Sequence, residues 1–295
     1  MKFSVFYGLI FGYALFDAQT LINGAIEGVH LAVSVVVPSL FPFVFLSVLG
    51  SSGLAGTKIT FIRPVEKLCG MPNGSGSLLL LGLCGGYPVG AQCVASTYSQ
   101  GILSKKDAER LLGFCNNAGP SFIFGMVGGM IRDVRLCWLL WLGQILSSIV
   151  VGMILPGKSR ERCRLRSANR ITTTAALENT IQICSKIAGW VILFRTVISI
   201  AEKWFLNRLP SFWNAAIAGA LELSNGCIRL QHISMPLPRF LLCGAMLCFG
   251  GLCVHLQTKS VVGSLSMRYY WIGKSMQTLL ILPIIWILWK ITVAF

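Results

Sequence analysis

LGLCGGYPVGAQCVASTYSQGILSKKDAERLLGFCNNAGPSFI, residues Leu81 to Ile123, sets glycines, prolines and amides where a membrane helix ordinarily carries only apolar side chains. An unpaired peptide group in hydrocarbon costs several kcal/mol, so such breaks persist only where they face protein or a watery cavity. Discontinuous helices of this kind line the binding sites of secondary transporters.

The rest of the chain supplies the membrane. Of 295 residues, 55% are apolar and only 12% are charged, the composition of an integral membrane protein. At about 20 residues per helix, the length suits roughly eight to ten crossing or re-entrant segments. The net charge of +15 sits between apolar runs, so nucleic acid is not the expected partner. Lys158, Arg160, Arg162, Arg164, Arg166 and Arg170 share one short loop with Glu161, which places that loop in the cytoplasm by the positive-inside rule. Lipid headgroups are its secondary reading. Eleven cysteines show no CxxC pair and no histidine at metal spacing, so free buried thiols are expected, with no metal and no cofactor. The amino-terminal run MKFSVFYGLIFGYALFDAQT has no small-x-small cleavage site before Asp17 and reads as a retained first helix.

Along the chain, Asn23 to Val37 carries Glu27 and His30 and reads as an interfacial or cavity-lining helix. A separate span follows over Val35 to Leu49, bent by Pro38 and Pro42. Leu78 to Leu83 is too short to cross before Gly85, Gly86 and Pro88 interrupt it, so a re-entrant hairpin and a discontinuous helix both fit. Ser104 and Asp107 form a helix-start cap. That helix meets a second break at Asn116, Asn117, Gly119 and Pro120 and resumes over Phe122 to Ile131. Further spans are expected at Trp138 to Leu155, Thr180 to Ile200, Ala215 to Leu223, Phe240 to Leu256 with a break at Gly250 and Gly251, and Trp271 to Ile291.

GGYPVGAQ (Gly85 to Gln92) can be laid over GGLCVHLQ (Gly250 to Gln257), and AIEGVHLAVS (Ala25 to Ser34) over ALENTIQICS (Ala176 to Ser185), in the same order. Collinear echoes suggest two internal repeats with the site at their interface. The expected organisation is a first repeat over 1–155 with its preceding helix, a basic connector over 156–172, and a second repeat over 173–295. The expected class is an all-α polytopic bundle with re-entrant hairpins and broken helices.

Several polar side chains fall inside the apolar runs. Glu222 and Asn225, in GALELSNG, sit at helical spacing on one face. They read either as a substrate or ion contact or as an interface group beside an arginine. Arg195 and Lys186 supply positive charge to the bundle or snorkel to its interfaces. His255 is more often a structural donor than a proton carrier. Gln92, Gln257, Asn116 and Asn117 suit a polar ring or carboxylate, and equally suit helix-to-helix bonding. No HExxH or GxSxG run is present, so no catalytic residue and no enzymatic activity are expected.

GGYPVGA, SKKDAERLLGFCNNAGPSFIFGMVG, GALELSNG and FGGLCVHLQ together resemble the sporulation integral membrane proteins of the YlbJ type, within the nucleoside-recognition or gate-domain group. The resemblance covers about Gly24 to Val262. It implies a fold similar to concentrative nucleoside transporters, and a protein that moves dipicolinic acid across the outer forespore membrane of endospore formers. It points to Gly85, Gly86, Tyr87, Pro88, Asn116, Asn117, Gly119 and Pro120 in the first half. Glu222, Asn225, Gly250, Gly251, His255 and Gln257 are its residues in the second. The chain is shorter than typical members and its connector is compact, which leaves room for a paralogue with another substrate. Nucleoside-type or cation-coupled transport, and a spore-assembly scaffold, are the alternatives. A homo-oligomer in the bilayer is compatible with each.

Overall fold

A computed structural model describes residues 12–13, 15–54, 59–157 and 171–293. Most of the expected first helix and nearly all of the basic connector lie outside them. The described elements are all helical, and five helices are long and apolar enough to cross a membrane.

The first of these corrects the division made at Val35. Helices α1 (Ala18–Leu31) and α2 (Val37–Leu54) run on through a π-helical segment, Ala32–Val36. Pro38 has no N–H to give the preceding turn, and the widened turn ahead of it takes up the mismatch, so the helix continues. Short α3 (Arg63–Leu68) follows.

Helices α4 (Gly76–Gly85) and α5 (Val89–Ser99) then fold back on one another about Gly86 to Pro88. At 10 and 11 residues each reaches only about 15 Å, half the hydrocarbon thickness, so the pair is a re-entrant hairpin. Its arms meet at glycines: a Cβ on Gly90 would lie 2.9 Å from the Gly82 Cα.

Helix α6 (Lys105–Leu112) begins at the expected cap, with the Asp107 N–H donating to Ser104 Oγ at 3.2 Å. It unwinds over Gly113 to Gly119 and resumes as a π-helical stretch, Ser121–Val127, and α7 (Gly128–Ile131). Helix α8 (Val134–Ile154) closes the first half.

The second half runs through elements in the same order. Helix α9 (Thr173–Trp204) has 32 residues, about 48 Å, well over the roughly 30 Å of a hydrocarbon core. It packs along α1, where a Cβ on Gly28 would meet the Ile192 Cα at 2.7 Å, the close approach that small residues allow between membrane helices.

Helices α10 (Ser211–Leu221) and α11 (Leu223–Arg229) fold back about Glu222. This corrects the reading of Glu222 and Asn225 as neighbours on one face of a continuous helix. Glu222 is extended, with φ −143° and ψ 121°, and its side chain caps α11.

Helix α12 (Pro236–Phe249) and α13 (Gly251–Val261) form one interrupted span, with Gly250 and Gly251 at φ +86° and +76°, values that favour glycine. Helix α14 (Arg268–Val293) ends the described chain. Ile285 of α14 seats in notches left by Gly143 and Gly244, where a Cβ would lie 2.4 Å from its side chain.

This order sets the tip of the first hairpin, Gly85 to Gln92, opposite the tip at Glu222. The letter-by-letter match of Gly85 to Gln92 with Gly250 to Gln257 therefore pairs a chain reversal with an interrupted helix, two unlike elements. The other echo, Ala25 against Ala176, does fall on the first long helix of each half.

Candidate functional site

The unwound stretch of the first interrupted helix lies across the first hairpin. Cys115 carbonyl oxygen sits over Gly82 and Gly90, where a Cβ would approach it to 1.7 and 2.1 Å, and Gly119 faces Gly86. Only bare backbone fits at this crossing. Asn116 ties it on both sides: its Oδ1 accepts from the Ala91 N–H at 3.2 Å, and its Nδ2 donates to Thr258 Oγ1 on α13 at 3.0 Å.

A buried polar cluster joins these parts to the last helix. Lys274 of α14 is fully enclosed and donates to Gln277 Oε1 at 2.7 Å, Tyr87 hydroxyl at 3.2 Å and Asn117 Oδ1 at 3.3 Å. Gln277 Nε2 also donates to Asn117 Oδ1 at 2.8 Å, and Gln144 Nε2 of α8 to the Ala118 carbonyl at 2.7 Å. Tyr87 hydroxyl lies 3.1 and 3.3 Å from the Leu247 and Cys248 carbonyls, the last turn of α12 before the Gly250 break. Among the described residues no carboxylate pairs with Lys274. Gln144 Oε1 is buried there without a hydrogen-bond partner, and the cluster is unbalanced in charge.

Beside the hairpin tip opens a cavity of about 200 Å³. Pro88 and Gln92 line it from the first hairpin, Asn179, Gln182 and Lys186 from α9, and Gln257 from α13. Gln92 Oε1 is buried there without a protein partner. Lys186 is its one charged lining residue, and no acid lines it among the described residues. A second, smaller hollow of about 40 Å³ shares Gln257 and Ile187 with it and reaches Tyr87, Gly119, Glu222 and Ser224. That volume holds water or a small ion rather than a ring.

The expected site residues therefore divide. Gly86, Tyr87, Pro88, Gln92, Asn116, Asn117, Gly119 and Gln257 converge on the hairpin tip. Gly250 reaches it through the Tyr87 ring, 3.4 Å from where its Cβ would be. Gly251 instead faces the Gly219, Ala220 and Leu221 carbonyls at the end of α10. Gly85 packs on Ser47 of α2, and Pro120 caps the π-helical stretch. Glu222 lines the small hollow, yet its oxygens accept from the Ser224 and Asn225 N–H groups at 3.0 and 2.7 Å and from Asn225 Nδ2 at 2.8 Å. Asn225 thus serves the cap. His255 is buried among Phe249, Tyr270 and Trp271, with Nδ1 2.9 Å from the Tyr270 hydroxyl.

Arg195 lies away from both hollows. It pairs with Glu27 of α1 and, at 2.9 Å, with Glu202, which also holds Arg229 at the foot of the second hairpin. Its carboxylate partners answer its charge, so it is a clamp between helices. Arg195→Gln is expected to lower the thermal midpoint of the purified protein in detergent; a midpoint equal to that of the wild type would mean that these ion pairs do not hold the helices together.

Sequence reading missed Lys274, Gln277, Gln144, Asn179 and Gln182. The available signal was an ionisable side chain with an amide three residues on, inside the apolar run of α14.

Compared with known proteins, the chain aligns over 96% of its length with the sporulation integral membrane protein YlbJ of Bacillus subtilis (strain 168), at 24% identity and covering 82% of that protein. The chain is similar to YlbJ almost end to end. The likeness expected from GGYPVGA and NNAGPSF is borne out, and with the apolar helices it supports an integral membrane protein. The alignment with YlbJ extends over 339 positions against 295 residues here, so it carries gaps on the side of this chain. No family model and no solved structure matches it.

Proposed function

We propose that the protein is a secondary transporter that carries a small carboxylate anion, dipicolinate, across the outer forespore membrane, and that it makes or breaks no bond in doing so. The observation that carries this reading is the acid-free cavity beside the hairpin tip. Lys186 supplies one positive charge and four amides surround it, a lining suited to carboxylate oxygens and a ring nitrogen. Its size also discriminates. About 200 Å³ falls below the ~300–1,000 Å³ of sites for drug-sized ligands, which suits a single-ring solute better than a nucleoside.

The re-entrant hairpins and interrupted helices support transport over a passive scaffold, which has no need of backbone breaks at membrane depth. The shared order of elements in 1–155 and 173–295 supports descent from a duplication, and with it a likeness to concentrative nucleoside transporters. Nucleoside transport, or transport coupled to a cation bound at Glu222, is the second reading, favoured by that carboxylate at the small hollow. The proposal invokes the bilayer and a soluble anion, and neither cofactor nor nucleic acid.

Uptake of labelled dipicolinate and uridine into proteoliposomes tests it. Dipicolinate is expected to cross and uridine not. Losing a charge-assisted hydrogen bond costs about 1.5–3 kcal/mol, so Lys186→Gln is expected to raise KM by roughly ten- to a hundredfold. Full-rate uptake with unchanged KM in Lys186→Gln would remove this cavity as the site, and uridine uptake alone would install the second reading.

A further inference from the structure

An ammonium group with three neutral oxygen partners, no carboxylate and no solvent is a costly thing to leave at the joint of a membrane bundle. Lys274 occupies that joint. Its neighbours come from three separate elements: Tyr87 from the tip of the first hairpin, Asn117 from the unwound stretch, and through Tyr87 the Leu247 and Cys248 carbonyls in the last turn of α12 before the Gly250 break. Donor and acceptor counting allows this arrangement two hydrogen-bonded states. A charged Lys274 donates all three protons, and the Tyr87 hydroxyl then donates to the Leu247 or Cys248 carbonyl, holding the hairpin tip to α12. A neutral Lys274 has two protons and a lone pair, and the hydroxyl turns to donate to that nitrogen, releasing the carbonyls.

We infer that Lys274 is the proton-coupling residue of the transporter: it takes up one proton when an anion occupies the neighbouring cavity, and gives it back when the anion leaves. This rests on the anion-transport reading above. The amine accepts H+ to become ammonium, and the carboxylate solute supplies the balancing negative charge, so each makes the other's entry more favourable. The coupling is reciprocal, as linkage requires. The same proton sets whether the hairpin tip is latched to α12, which joins charge to movement.

The other titratable groups facing Lys274 are Tyr87 from the hairpin, Cys115 from the unwound stretch, and Cys248 and His255 from α12 and α13. Tyr270 lies on its own helix, one turn away, against His255. His255 is the competing proton carrier, so it supplies the control.

The test has two arms on the full-length protein. In the first, acid–base titration of the purified protein in detergent is compared with Lys274→Met. A difference of one proton within the pH range where the protein is folded and active is expected; no difference across that range overturns the inference whatever the solute. In the second, dipicolinate uptake into proteoliposomes is measured with the membrane potential clamped to zero. Accumulation is expected to rise about tenfold per unit of inward pH gradient, one proton moving with each anion. Lys274→Arg keeps the charge but cannot release the proton. It is expected to bind dipicolinate and lose the response to the gradient, and His255→Gln to keep that response. Wild-type uptake indifferent to the gradient, or a response that survives in Lys274→Arg and Lys274→Gln but vanishes in His255→Gln, overturns the role of Lys274 and leaves transport standing. Absence of any dipicolinate uptake by the wild type defeats the transport reading, and the coupling role with it.

Discussion

Gly82→Ala is expected to cost the protein a large part of its stability, although it adds one methyl group to a helix interior. The new Cβ would lie 1.7 Å from the Cys115 carbonyl oxygen and 2.8 Å from its carbon. The obstacle is main chain, so no rotamer relieves it. The unwound stretch cannot retreat either, because Asn116 anchors it to Ala91 and Thr258, and Gly119 lies against Gly86. Overpacking typically costs about 1–3 kcal/mol and more where the neighbour is rigid, against a total stability of roughly 5–15 kcal/mol. Gly90→Ala, whose Cβ would meet the same oxygen at 2.1 Å, is expected to act alike. Gly129→Ala is the control: nothing lies within 4 Å of its Cβ, and helix propensity alone predicts a gain of up to about 1 kcal/mol. Thermal unfolding of the three variants in detergent decides the matter. A Gly82→Ala protein melting with the wild type would mean that the hairpin and the unwound stretch do not touch there.

Arg110→Met is expected to be the most damaging single change outside the candidate site. Arg110 is almost fully buried in α6, yet its guanidinium fans out to four backbone oxygens. It donates to Cys69 and Gly70 beyond the end of α3, at 2.5 and 3.3 Å, and to Gly152 and Leu155 at the end of α8, at 2.7 and 3.3 Å. The last carbonyls of a helix have no partner within it, and the partial negative charge there favours a cation. One planar side chain thus closes two helix ends. Methionine fills similar space and leaves those carbonyls bare, at about 1–3 kcal/mol for each that water cannot reach. Lysine would rescue only part, since its single ammonium cannot span both ends. Should Arg110→Met shift the thermal midpoint no more than an exposed Lys105→Met does, the guanidinium is not holding the two ends.

Much of this was legible in the chain because breaks are local. The glycines and prolines at Gly85 to Pro88, Asn116 to Pro120 and Gly250 to Gly251 interrupt helices where expected, and Ser104 starts one. What stayed hidden depends on partners distant in sequence. Arg110 sits in KKDAERLL, where its type and spacing match a solvated helix face. Glu222 breaks a run that keeps helical periodicity on both sides, so its role as the cap of a chain reversal shows only when Gly219 and Gly226 are seen to meet. The joining of α1 and α2 was obscured by Pro38, whose effect the π-helical turn absorbs. Lys274 lay unremarked in an apolar run because its meaning comes from Tyr87 and Asn117, more than 150 positions earlier.

The length of α9 explains the misplacing of Arg195. It exceeds the hydrocarbon core by about 18 Å, more than the usual tilt of about 20° can hide. Its last turns, with Glu202 and Lys203, therefore reach the headgroup zone, where ion pairs are cheap. The same surplus makes this helix tolerant of lipid thickness: a thicker membrane would submerge more of that rod and a thinner one bare it.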